Sequence, residues 1–147
     1  MIPLAYFGAR LSVIDFKSHR LPNRLVGWFT ATEILIMAVI SWMASDFARL
    51  LTVLGVAAAT MISYVLLYQV SRGSLGMGDV KFAFPLGLCV GWYSANQWLV
   101  AIFVSFLIAG LVAVIGLVTK RMTRKSRLAF GPYMFLGTFL ICVFEVL

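Results

Sequence analysis

The chain has 147 residues, of which 63% are hydrophobic and only 12% charged, against ~45–50% and ~25% in an ordinary soluble domain. So much apolar surface cannot be hidden inside one small globule, and a disordered chain, a collagen or a disulfide-stapled secreted module is excluded. Twelve Lys and Arg against five Asp and Glu give a net charge of +7; with no interleaved basic and aromatic face to read bases, this excess fits cytoplasmic loops between membrane spans rather than nucleic-acid binding.

A spanning helix needs roughly 20 apolar residues, and that length can be laid along the chain. Residues 1–15 carry Arg10 as their one charge before Asp15 and no small-residue cleavage signature, so they are expected to form a first span rather than a removed signal peptide. At ~1.5 Å per residue this span is only about 21 Å long, short of the ~30 Å hydrocarbon core. Residues 25–44 and 50–70 each fit one span. Residues 82–119 hold no charge and are too long for one helix. The polar residues 93–97 between Trp92 and Trp98 divide them into a hairpin turned at the aromatic belt. Residues 128–147 form the last span, opened by Gly131-Pro132 because proline is tolerated in a first helical turn. The expected fold is all-α, a polytopic membrane protein of about six transmembrane helices forming one domain over 1–147.

Orientation follows from the connections. Lys17, Arg20 and Arg24 lie in the first, Arg72 in the third with Lys81 just beyond, and Lys120, Arg121, Arg124, Lys125 and Arg127 in the fifth. The second holds Asp46 and Arg49 and the fourth no charge. Connections one, three and five are therefore expected in the cytoplasm and both termini outside. Gly87 and Gly91 form a GxxxG typical of close helix crossings. Cys89 and Cys142 lie in apolar runs without a CxxC spacing, so they read as packing residues, and neither a metal nor another cofactor is expected.

Acidic residues are costly in a membrane and each needs a reason. Asp46 and Glu145 fall near the outer boundary, where water reaches them. Arg10 and Glu33 lie about 7.5 and 12 Å below the same boundary on neighbouring antiparallel spans at ~1.5 Å per residue, so an ion pair between them is expected, the alternative being that Arg10 snorkels to the surface and Glu33 is protonated. Asp15 closes the first span and Asp79 opens the fourth, at one depth and on one face. Two neighbouring carboxylates cannot both ionise easily, so one keeps a proton while the other is charged. The charged one can activate a water and the protonated one can polarise a carbonyl and protonate a leaving amine. Gly76-Met77-Gly78 precedes Asp79; glycines there permit positive φ and leave room for a substrate backbone. Taken singly, the glycines are equally served by a turn with Asp79 as a helix cap, and Asp15 by pairing with Lys17 or Arg20.

Three separated segments together resemble the type IV prepilin peptidases, the GxGD class of membrane aspartic proteases. They are Asp15 followed by basic residues and Leu21-Pro22-Asn23, then Gly76-Met77-Gly78-Asp79-Val80-Lys81, then Phe130-Gly131-Pro132-Tyr133. The resemblance covers nearly the whole chain and implies Asp15 and Asp79 as the catalytic pair. Larger members carry an N-terminal segment with paired CxxC cysteines and also methylate the pilin. Nothing here matches that segment, so peptidase action alone is expected, similar to the compact enzymes of tight-adherence (Flp-type) pilus systems. The resemblance implies an inner-membrane enzyme of bacteria whose substrate is a prepilin-like protein, cut after its short basic leader at the cytoplasmic face. Gly76, Gly78 and Lys81 are the expected substrate-binding residues, with Lys81 either meeting a glutamate of the pilin or serving as an interfacial lysine. A small ion-coupled transporter or a non-catalytic component of a secretion assembly are the competing readings. The former usually places its carboxylates near the midplane, unlike Asp15 and Asp79.

Overall fold

A computed structural model describes residues 1–71, 75–121, 123 and 128–147. Of the basic residues used for orientation, Arg72, Arg124, Lys125 and Arg127 lie outside the described residues. The protein is all-helical, with six α-helices among the described residues: α1 (Ile2–Ser18), α2 (Asn23–Met43), α3 (Phe47–Val70), α4 (Met77–Tyr93), α5 (Trp98–Val118) and α6 (Gly131–Phe144). A single 3₁₀ turn, Ala95–Gln97, separates α4 from α5, at the polar break expected within 82–119. No strand occurs among the described residues.

Several helix ends have a local cause. Pro3 lies in the first turn of α1 and Pro132 in that of α6, where the missing N–H costs nothing because that donor has no intrahelical partner. Asp46 caps α3 by accepting the Arg49 amide at 3.0 Å, which gives this outer carboxylate a structural use. His19 ends α1 in the left-handed conformation, φ 49°, with its N–H on the Asp15 carbonyl.

α4 is the central helix. Eleven of its seventeen residues are buried, and a helix apolar all round must be packed on all sides. It lies against α2, α3 and α6. The closest crossing is with α3: a Cβ on Gly87 would sit 2.8 Å from the Ala57 Cα, and one on Gly91 3.0 Å from the Val56 Cβ. The GxxxG therefore acts as a contact surface. Cys89 and Cys142 are both free and buried in the core.

The outer faces stay apolar. Trp28, Leu35, Leu51, Phe103 and Leu111 are exposed, and an apolar belt of this extent on a protein surface marks a membrane rather than water. α2, α3 and the stretch Ala95–Val118 are long and apolar enough to cross a bilayer, whereas Gly131–Phe144 is shorter. α1 and α4 have seventeen residues each, about 25 Å at ~1.5 Å per residue. The two aspartates lie near the ends of these short helices.

The Arg10–Glu33 ion pair does not form. The buried stripe of α1 is Leu4, Gly8, Leu11 and Asp15, a 4-3-4 spacing that leaves Arg10 off the packed face. Arg10 is exposed, and its guanidinium donates to the Tyr6 hydroxyl at 2.8 Å. Glu33 belongs to the inward stripe of α2, with Phe29 and Met37. Its carboxylate lies near Cys89, and Oε1 has no hydrogen-bond partner. Depth along the membrane normal matched these two residues, but their azimuths did not.

Candidate active site

Asp15 is 5% exposed and Asp79 7%. The first comes from the last turn of α1 and the second from the first turn of α4. They meet at one end of the bundle, close enough for their charges to interact. Both line an open cavity of about 370 Å³, together with His19, Arg20, Leu21, Asn23, Gly76, Met77, Gly78 and Lys81. The expected catalytic pair and the three expected substrate-binding residues are thus brought into one cavity wall.

Each carboxylate is held by a backbone amide at a helix start. The Gly131 N–H, at the first position of α6, donates to Asp15 Oδ2 at 2.9 Å. The Gly76 N–H, just before α4, donates to Asp79 Oδ2 at 3.1 Å, while the Gly76 carbonyl accepts from the Asp79 N–H at 3.0 Å. Helix N-termini present unpaired N–H groups and partial positive charge, so each amide offsets part of the cost of burying its carboxylate beside the other. Among the described residues neither Oδ1 has a hydrogen-bond partner. One oxygen of each aspartate is anchored and the other remains free.

The glycines are needed for space rather than for unusual φ. Gly76 has φ −74° and Gly78 is already helical, so the expected positive φ is not used by either. A Cβ on Gly76 would lie 3.1 Å from Asp79 Oδ2, and one on Gly78 3.2 Å from the Leu21 Cβ. Gly131 is tighter still, its Cβ position 2.9 Å from Asp15 Oδ2. Asp15 forms no ion pair with Lys17 or Arg20 in the structure, whereas the helix-cap role for Asp79 is realised.

Several residues of the site are not singled out by sequence reasoning. Asn23 accepts a hydrogen bond from Lys81 Nζ at 3.1 Å. His19 lies near enough to Asp15 for its charge to act on the carboxylate. Tyr64 of α3, 2% exposed, reaches the neighbourhood of Asp79 from behind. A tyrosine or asparagine in these positions carries no distinguishing spacing, although the Leu21-Pro22-Asn23 segment did mark the region. Among the described residues no group of three His, Cys, Asp or Glu is placed to hold a metal ion.

The profile of the Type IV leader peptidase family matches residues 2–144, nearly the whole chain. The chain belongs to that family. It is also similar to the prepilin leader peptidase/N-methyltransferase of Bacillus subtilis (strain 168), at 28% identity over 133 residues, covering 88% of this chain and 49% of that protein. The chain therefore spans about half the length of the curated relative it matches. No solved structure matches it. Family membership makes the meeting of two buried aspartates in an open cavity the natural candidate for the peptidase centre.

Proposed function

We propose that this chain is a membrane aspartic endopeptidase that removes the basic leader from prepilin-like precursors, with Asp15 and Asp79 as the catalytic pair. The observation that carries this reading is that the two carboxylates, far apart in sequence, share one cavity, each anchored through Oδ2 and free at Oδ1. A water held between the free oxygens would lose a proton to the charged carboxylate as its oxygen bonds to the scissile carbonyl carbon. The protonated carboxyl would polarise that carbonyl and then give its proton to the departing amine as the C–N bond breaks. The pair is back to one proton once the amine has taken its own, so no metal or protein nucleophile is required.

The prepilin substrate class is suggested by the name of the Bacillus relative. The expected topology places six spans in one domain of the bacterial inner membrane, with both termini outside and the aspartate cavity facing the cytoplasm, where a basic leader is retained. Gly76, Gly78 and Lys81 would border the bound segment. Partners are then the substrate and the bilayer, and neither nucleic acid nor metal takes part.

The test is cleavage of a synthetic prepilin by purified protein in detergent. Asp15→Ala, Asp15→Asn, Asp79→Ala and Asp79→Asn should each abolish it, since a pair that acts as a unit loses most of its rate with either member. EDTA should leave the wild-type rate unchanged. Substantial cleavage by either Asn variant, or loss in EDTA restored by zinc, would sink the assignment.

A further inference from the structure

Resting on that reading of the two aspartates, we propose that Asn23 is a positioning residue that parks the Lys81 ammonium at the mouth of the cavity and keeps it off the carboxylates. Lys81 lines the same cavity as Asp15 and Asp79, which are its only lining carboxylates among the described residues. It sits two residues beyond Asp79 on α4, on a flexible four-carbon stem. An ammonium seated on either aspartate would hold that group charged and occupy the oxygen needed for water. A carboxylate so paired would also be a weaker base toward that water.

The structure restrains the lysine from the far side. Lys81 Nζ donates to Asn23 Oδ1 at 3.1 Å. Asn23 is the first residue of α2, one place inside the N-cap Pro22, so its side chain is not the one that caps the helix. Its amide oxygen accepts from a lysine 58 residues away, which ties the start of α2 to the start of α4. The approach is fixed by a second contact from the same segment: Leu21, almost fully buried, packs against Gly78, leaving 3.2 Å between its Cβ and the place of a Gly78 Cβ. Gly78 and Lys81 are i and i+3 on α4 and so share one face, which residues 21–23 cover. Asp79 and Lys81, being i and i+2, start from nearly opposite sides of the helix. The cavity's other basic residues, His19 and Arg20, belong to the end of α1 and the connection after it.

The experiment is a double-mutant cycle on the purified full chain in detergent, with a synthetic prepilin as probe and kcat and KM measured separately. Asn23→Leu, which keeps the shape but removes the acceptor, should lower kcat about tenfold and leave KM within about twofold. Asn23→Asp, which keeps an oxygen for Lys81, should retain kcat within about threefold. Lys81→Met should raise KM, and in that background Asn23→Leu should change kcat less than about twofold, because no ammonium is left to restrain. An equal loss from Asn23→Leu in both backgrounds, or no loss in either, overturns the proposal. Thermal unfolding in the same detergent monitors the fold, and Asn23→Ala carries the same cycle if Asn23→Leu does not fold. Wild-type cleavage by Asp79→Ala would be a different failure, that of the catalytic pair itself.

Discussion

Gly131→Ala is the substitution that most directly separates placing a carboxylate from holding a fold. A methyl group there would lie 2.9 Å from Asp15 Oδ2, 3.3 Å from its Cγ and 3.4 Å from its Cβ. The first distance is about 0.5 Å short of ordinary contact, and the atom that must yield is the anchored oxygen at the end of a short side chain. The yield is therefore cheap for stability: the weakened hydrogen bond costs about 1–2 kcal/mol, partly offset by the ~1 kcal/mol by which Ala exceeds Gly in helix propensity. It is not cheap for chemistry. Reacting groups must be held within ~0.5 Å of productive geometry, and a misplacement of about 1 Å can lose ~100-fold in rate. Cleavage of a synthetic prepilin should fall by roughly 10- to 100-fold, or ~1.4–2.7 kcal/mol in the barrier, while the unfolding midpoint in detergent moves little. Gly110→Ala, whose added Cβ meets nothing within 4 Å, should leave both unchanged. Wild-type cleavage by Gly131→Ala, alongside an inactive Asp15→Ala, would refute the view that the Gly131 amide sets the position of Asp15.

Three other substitutions test the surrounding structure. Gly87→Val presses on the Ala57 backbone, 2.8 Å from the new Cβ, and should destabilise the protein by about 1–3 kcal/mol in thermal unfolding, whereas Gly55→Val meets nothing and should not. Arg10→Ala removes an exposed side chain bonded to Tyr6 and should change stability by no more than about 0.5 kcal/mol; a loss of several kcal/mol would revive an ion pair with Glu33. For topology, a thiol introduced as Asn96→Cys should react with a membrane-impermeant reagent from outside only, and one introduced as Lys120→Cys from inside only. The reverse pattern would put the aspartate cavity on the wrong side for a leader retained in the cytoplasm.

The helices were legible because hydropathy is a one-dimensional signal and membrane spans are long. Expected spans at 25–44 and 50–70 correspond to α2 and α3 within three residues at each end. Asp15 and Asp79 were legible as a pair for a related reason: carboxylates beside apolar runs are rare enough to stand out, and alternating helices bring the end of α1 and the start of α4 to one side. What the linear pattern hid was azimuth. Counting back from Asp15 by four, three and four reaches Leu11, Gly8 and Leu4, the stripe that is buried, and this count excludes Arg10. That signal was available, but depth alone suggested the ion pair with Glu33. The Gly131 amide on Asp15 spans 116 residues and depends on how α1 meets α6, which no local pattern records. The same holds for Asn23 and Lys81.

Gly76 and Gly131 come from different motifs yet perform one task. Each gives its N–H to the Oδ2 of an aspartate, and in each the space a Cβ would fill is taken by that same carboxylate. Glycine is thus required by the anion it holds rather than by backbone conformation. The two positions differ in how freely they can relax. Gly76 and Asp79 are three residues apart, at the start of one helix, and the added Cβ would lie 3.1 Å from Oδ2. That shortfall is only about 0.3 Å from ordinary contact, and a local turn can absorb it. Gly131 and Asp15 belong to separate helices, the bond is buried, and the Cβ would be nearer. Gly76→Ala should therefore lower kcat less than Gly131→Ala, by no more than about tenfold. Because Gly76 also borders the cavity, an accompanying rise in KM is expected for Gly76→Ala and not for Gly131→Ala. If Gly76→Ala instead loses more kcat than Gly131→Ala, crowding of the carboxylate is not what demands glycine at these two positions.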